Sequence, residues 1–407
     1  MDRIGVFYVP TLLMYFGRGL HVNVAPIFVM NVLGKSETIA GVCVAMIGLG
    51  KVIADIPAGY ALRRCNSGIV MVLSSLLMLA GCLISGFCGN GVSFIAAGFF
   101  VFGAGIGSMC VSWQMLHSEF IDPTMAGGVA AYQGLFLRVG LVIATLVGPV
   151  IFDHHGISAL FFAKGSAICL CLLPLGLFAY YCPPGMVPSA IEKLHSPPLT
   201  WTLRTYWKKL LLAGGFMSGL QLLRSARSFG LTVVGRRSEM PVSDIATLLA
   251  VSYLVEIPFC SLAGSLIQKS VKYTGTAVVI TLASSLFISA LGEGRPWLLW
   301  IGAVIAGIGN GVGAGIGMEI GSKINTDSKD TLFAAVWRVM LDSGELFGPL
   351  LVGAMLKKFS LLLAFGFVSI FAVLGVIGFW FVKFVVVPCA SSESDEEVAH
   401  EAREERF

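Results

Sequence analysis

From Cys65 to Ser118 the chain carries no aspartate, glutamate, lysine or arginine. That run of 54 residues is too long for one membrane crossing and right for two, since a helix needs about 20 apolar residues to span a bilayer. The turn between them falls at Gly89-Asn90-Gly91. Further charge-free runs cover Tyr273–Gly292, Pro296–Met318 and Phe359–Val382. Charged residues make up only 12% of the chain, about half the share in soluble domains. Too few charges remain to cover a folded body in water. The composition excludes a soluble enzyme, a disordered chain and a nucleic-acid binder.

Filling in the remaining apolar stretches predicts an all-α membrane protein with twelve transmembrane helices. They lie near 5–31, 38–60, 68–88, 93–116, 125–151, 157–181, 210–233, 243–267, 273–292, 297–321, 331–356 and 360–387. The first is too long for a signal peptide and no small-residue cleavage site follows it. Lysine and arginine concentrate in the loops on the N-terminal side, as at Arg3, Arg63, Arg64, Arg204, Lys208 and Lys209. The positive-inside rule therefore places both termini in the cytoplasm. Most cysteines, Cys43, Cys82 and Cys110 among them, sit in apolar runs as small hydrophobes.

The sequence also repeats itself. Arg138-Val139 with Gly148-Pro149 recurs as Arg338-Val339 with Gly348-Pro349, and Asp55-Ile56-Pro57 recurs as Glu256-Ile257-Pro258. Gly105-Ile106-Gly107 recurs as Gly307-Ile308-Gly309. The offsets agree to within two residues, so the chain reads as two homologous six-helix halves. The expected organisation is a bundle over 1–181, a cytoplasmic link over 182–209, a second bundle over 210–388 and an acidic cytoplasmic tail over 389–407. Because six is even, both halves share one orientation, and their pseudo-twofold axis runs along the membrane normal.

Asp55-Ile56-Pro57-Ala58-Gly59, running into Arg63-Arg64, resembles the signature between helices two and three of the major facilitator superfamily. Gly59 and Arg64 match it, whereas Arg63 stands where that signature has its aspartate. Spaced glycines ending in Gly-Pro on helices five and eleven are similar to the family's antiporter element. The resemblance implies two pseudo-symmetric bundles that rock about a central site. It also implies that helices three, six, nine and twelve face lipid while the other eight enclose a cavity.

Ionisable groups inside a bilayer are costly and tend to face a protein interior or a water-filled cavity. Eleven fall within the spans: Arg18, Lys51, Asp55, Arg138, Lys164, Arg224, Arg227, Glu256, Arg338, Asp342 and Glu345. Ten lie on cavity-type helices. Lys164, near the outer end of helix six, is expected to snorkel to the interface. Arg18, Arg138, Arg224, Glu256 and Lys51 each lie about 20 Å from a helix end, near the midplane. Arg18, Arg138 and Arg224 have no acid three or four residues away, so they meet partners on other helices or the negative group of a substrate. Arg338, Asp342 and Glu345 share one helix face. They either neutralise one another or leave one acid to carry a coupling proton, a role for which Glu256 is a further candidate. Lys51 and Asp55 are spaced as an ion pair within one helix. With Gly59 and Arg64 they form the gating candidates.

No nucleophile triad, phosphate loop or cofactor motif is present, and Asp153-His154-His155 lacks the spaced partners of a metal site. The expectation is a secondary active transporter, not an enzyme, without cofactor, exchanging a small-molecule substrate and protons across a lipid bilayer. The excess of midplane arginine favours a small organic anion. The alternatives are a proton-linked exporter of amphipathic compounds and a receptor or scaffold that no longer transports.

Overall fold

A computed structural model describes residues 3–22, 24–87, 91–120, 123–181, 197–324 and 331–383. The acidic tail and the link from 182 to 196 lie outside the described residues, as do Gly89 and Asn90. The described chain is helical throughout its spans. α1 (Arg3–Val22) continues outward through Val24–Ile27 and a π-turn at Phe28–Val32. α2 (Glu37–Arg64), α3 (Ser67–Phe87) and α4 (Val92–Phe120) follow. One long helical stretch, Pro123–Tyr181, holds α5 and α6, divided where Gly156 takes φ 78°. α7 runs from Leu199–Lys209 through a π-turn into Gly215–Arg237. α8 (Val242–Lys269), α9 (Val271–Ala290), α10 (Pro296–Val312, then Ile316–Ile324), α11 (Thr331–Met355) and α12 (Leu361–Trp380) complete the two six-helix bundles.

Local chemistry sets several of these boundaries. Ser36, Ser270 and Ser360 each accept a hydrogen bond from the backbone N–H three residues on, the usual use of serine as an N-cap. Pro296 occupies the first turn of α10, where its missing N–H costs nothing. Nine described segments are long and apolar enough to cross a membrane by themselves, and Tyr132–Tyr180, at 49 residues, holds two spans. Only α7 and α11 fall short of that measure, because they carry Arg224, Arg227, Arg338, Asp342 and Glu345.

The outward-facing apolar side chains identify the lipid contact. Leu73 and Leu77 on α3, Leu170 and Leu173 on α6, Ile280 and Phe287 on α9, and Phe371 and Leu374 on α12 are all exposed. These are the four helices the family resemblance assigns to the periphery; exposed apolar residues also occur on α2, α5 and α8, as at Ile53, Ile143 and Leu254.

The halves meet along α2 with α11 and along α5 with α8. Glycine permits the approach: a Cβ on Gly48 would lie 2.5 Å from the backbone N of Leu346, and one on Gly41 would lie 2.5 Å from the carbonyl of Pro349. Within the halves, Gly140 and Gly148 let α5 lie against the α1 carbonyls of Leu12 and Leu20. In the repeat, Gly344 and Gly348, which stand at the positions of Ala144 and Gly148, seat α11 on α7 at Ser218 and Ser225. Small residues at such crossings are how helices pack in lipid.

Candidate functional site

Between the halves lies a cavity of about 310 Å³. α1 contributes Tyr15 and Arg18, α4 contributes Trp113 and Gln114, and α5 contributes Gln133 and Arg138. From the second half come Gln221, Arg224 and Arg227 on α7, Tyr253 and Glu256 on α8, Asn310 on α10, and Arg338 and Glu345 on α11. The volume suits a small solute.

The charged groups form two clusters. In the first, Glu256 of α8, almost fully buried, is the common acceptor. Arg138 Nε lies 2.9 Å from its Oε2 as an ion pair without a well-aligned hydrogen bond. Arg227 Nη1 and Asn310 Nδ2 donate to its Oε1 at 3.1 and 2.8 Å. Arg138 also donates to the carbonyls of Gly134 and Asn310. Arg224 donates to the carbonyl of Gly313 at 2.9 Å and to Gln221 at 3.2 Å, and its Nε finds no acceptor. Among the described residues no carboxylate pairs with it. Three guanidinium groups thus face one carboxylate.

The second cluster joins α1, α2 and α11. Arg18 Nη2 donates to Glu345 Oε1 at 2.5 Å, and Lys51 Nζ to Glu345 Oε2 at 2.6 Å. Arg338 Nη2 grips both oxygens of Asp342 at 2.8 and 3.0 Å, and Lys51 approaches the same carboxylate at 3.5 Å. Asp55 lies beside them with no exposure, and neither carboxylate oxygen receives a donor.

Several expectations need correction. The pair within α2 does not form: the Lys51 ammonium turns across the interface to α11, where two carboxylates outweigh one. Glu345 is not the unpartnered acid, since Arg18 and Lys51 reach it from the other half. Arg18 is therefore tied to an acid, and so is Arg138; of the three arginines proposed for an anion, Arg224 alone has no acid. Lys164 does not snorkel. It is 1% exposed, with its ammonium 3.3 Å from the ring centroid of Phe102 and within 6 Å of Phe99 and Phe161. This is a cation–π enclosure, more stable for a lysine too deep to reach the interface.

At the end of the bundle that holds Arg3, Arg64 is exposed, and its neighbour Arg63 reaches the second half and the link. Arg63 Nε donates to Thr331 Oγ1 at 3.2 Å and Nη2 to the carbonyl of Pro197 at 2.5 Å. Gly59 packs against Ala335, where an added Cβ would lie 2.7 Å from the alanine methyl. Sequence reasoning missed Asn310, Gln133 and Gln221. A neutral polar residue in a span gives no signal of its own; only Asn310 follows a marked feature, the repeated Gly307-Ile308-Gly309.

Comparisons with known proteins show a family, a distant relative and a shared fold. The family model described as the Major Facilitator Superfamily matches residues 8–324. Among curated proteins, an "Uncharacterized transporter" of Buchnera aphidicola subsp. Baizongia pistaciae (strain Bp) is 24% identical over 176 residues, and the match spans 43% of each chain. Among solved structures, the fold is similar to that of the MFS proton:xylose symporter XylE bound to 6-bromo-6-deoxy-D-glucose. That similarity has a TM-score of 0.70 at 16% identity, over 94% of this chain and 96% of that one.

Proposed function

The chain belongs to the major facilitator superfamily, and from that membership we propose that it is a secondary active transporter of a small organic anion, driven by the proton gradient. One observation carries the substrate class: Arg138, Arg224 and Arg227 line the cavity as a cluster whose one carboxylate is Glu256. Two uncompensated positive charges in a poorly hydrated site are costly. A carboxylate or phosphate on the solute offsets that cost, and Arg224, without an acid of its own, is the group it would meet first. The structurally similar symporter carries a neutral sugar; the guanidinium-rich wall here favours an anion instead.

Proton coupling rests on the α2–α11 cluster, where Lys51, Asp55 and Asp342 are buried and Arg338 and Glu345 reach the cavity. Their position between halves lets protonation report on whether the halves are closed. Lysine and arginine on the inner loops support cytoplasmic termini.

The test is uptake into proteoliposomes with lactate, succinate, glycerol 3-phosphate and xylose as probes, with and without an inward proton gradient. The expected result is accumulation of one of the three acids when the outside is acidic, and its loss in Arg224→Gln. Uptake of xylose alone, or of no probe acid, rejects the anion reading.

A further inference from the structure

The charges inside the spans do not balance, and the imbalance is localised. Seven cations stand against four carboxylates. One cation, Lys164, is enclosed by the rings of Phe99, Phe102 and Phe161. Arg18, Lys51 and Arg338 share their cluster with Asp55, Asp342 and Glu345, so that cluster has no negative charge to spare. The rest is the wall of the cavity, where Arg138, Arg224 and Arg227 have Glu256 alone. With Glu256 ionised, the wall carries two positive charges in excess. Ser252 and Glu256 together hold Arg227. Arg138 and Arg224 are therefore the two guanidinium groups that can turn to a solute.

What these two touch instead is backbone. Arg138 Nη2 donates to the carbonyl of Asn310 at 3.4 Å, and Arg224 Nη2 to that of Gly313 at 2.9 Å. Both carbonyls lie where the first segment of α10 ends, before the break at Gly315. A helix end leaves its last carbonyls short of partners within the helix, which is why two arginines can reach them. A peptide carbonyl bears only a partial charge. These contacts satisfy donors without neutralising the cations. The two carbonyls are three residues apart, about 4.5 Å along the axis, so one small solute can span the groups they hold.

We infer that the solute carries two negative charges close together, as the two carboxylates of a short diacid or one fully ionised phosphoryl group do. It takes Arg138 and Arg224 in place of the α10 carbonyls. The inference rests on the anion reading above and fixes its valence. A singly charged solute leaves one excess charge in a poorly hydrated wall, and a zwitterionic amino acid leaves both. Two charges bring the wall to neutrality and remove the cost of burying unpaired cations. Arg138 belongs to α5 in the first half and Arg224 to α7 in the second, so a solute held by both also bridges the halves. Of the acids in the transport screen, this selects succinate or glycerol 3-phosphate over lactate.

The test is titration calorimetry on the purified full chain, with pairs of probes that differ by one charge. Succinate is set against monomethyl succinate, and glycerol 3-phosphate against its methyl diester. In at least one pair the doubly charged member should bind about 10–100-fold tighter than its partner, the range of one charge-assisted hydrogen bond, at one molecule per chain. A phosphoryl preference should shrink as the pH falls below about 6, where the monoester takes up a second proton; a dicarboxylate preference identifies the other source. Arg224→Gln leaves one excess charge, so the preference should collapse toward unity. Arg224→Lys keeps the charge and should keep the preference. A ratio between matched probes separates charge matching from general damage to the site. Equal affinity within both pairs, or two singly charged molecules bound per chain, overturns the double charge and leaves the anion reading standing. A preference unaltered by Arg224→Gln overturns the assignment to Arg224. If no anion of either charge binds, the anion reading falls and this inference with it.

Discussion

Glu256 and Arg224 lie in the same cavity wall, yet their substitutions should behave in opposite ways. Glu256 holds Arg138, Arg227 and Asn310 together. Glu256→Gln leaves two buried guanidinium groups without a counter-charge, and losing one partner of a buried pair costs about 3–5 kcal/mol. The expected result is a marked fall in melting temperature in detergent. Arg224 strands no acid when it goes, so Arg224→Gln should melt close to the parent. Its loss should appear in binding instead, by about 10–100-fold for the acid the transport screen selects, the range of one charge-assisted hydrogen bond of about 1.5–3 kcal/mol. If Arg224→Gln unfolds the protein while the remaining protein binds normally, its guanidinium is a structural strut for the α10 break at Gly313. Arg138 stands between these cases. Its removal leaves Glu256 with Arg227, so both stability and binding should fall.

At the scale of elements, the helices were legible because a charge in an apolar background is conspicuous and turn residues punctuate the runs. The predicted boundaries of α2, α4 and α9 lie within a few residues of the observed ones. α7 begins earlier than the apolar run does. Leu199–Lys209 is an amphipathic helix that buries Thr202 and Tyr206 while its basic residues face out, and a hydropathy reading assigns such a segment to a loop. The glycines of α10 serve both packing and a break. Gly307 and Gly311 admit the carbonyls of Ser252 and Glu256, while the helix breaks before Gly315, whose φ is +79°. What the sequence could not reveal was the choice of partner. Lys51 is equally spaced for Asp55 on its own helix and for acids on α11, and only the rotation of α2 against α11 decides between them. That rotation depends on glycine. Gly48→Val should wedge α2 away from Leu346 on α11, because a side chain there meets backbone atoms that cannot move aside. The expected result is faster labelling of a cysteine placed at cavity-lining Ser228 by an impermeant thiol reagent added from outside. Unchanged labelling would mean the outer half closes without that contact.

At the scale of the molecule, the halves touch at both ends in this conformation. The end that holds the N-terminus has Arg63 on Thr331 and Gly59 on Ala335. The opposite end, expected to be the outer one, has Arg237 of α7 held by both oxygens of Glu37 on α2, at 2.8 and 2.7 Å, with Glu293 at 3.6 Å. Arg236 donates to Asn31, and Thr38 to the carbonyl of Gly353. The Glu37–Arg237 pair is bidentate and mostly buried, a geometry that contributes more than an exposed surface pair. It also joins parts of the two halves that must separate for the cavity to open outward. Alternating access requires such contacts to be weak enough to break, so a single pair should set the balance without deciding it. Glu37→Gln should shift the equilibrium toward outward opening by about 1 kcal/mol, or about fivefold. Spin labels at Lys35 and Lys357, on opposite halves at the outer surface, would report this as growth of a longer-distance population. High salt should produce part of the same shift in the parent, since screening weakens the pair, and should add little in the variant. If neither salt nor Glu37→Gln changes the distances, the outer closure is held by the glycine-mediated packing of α2 on α11, and the ion pair only follows it.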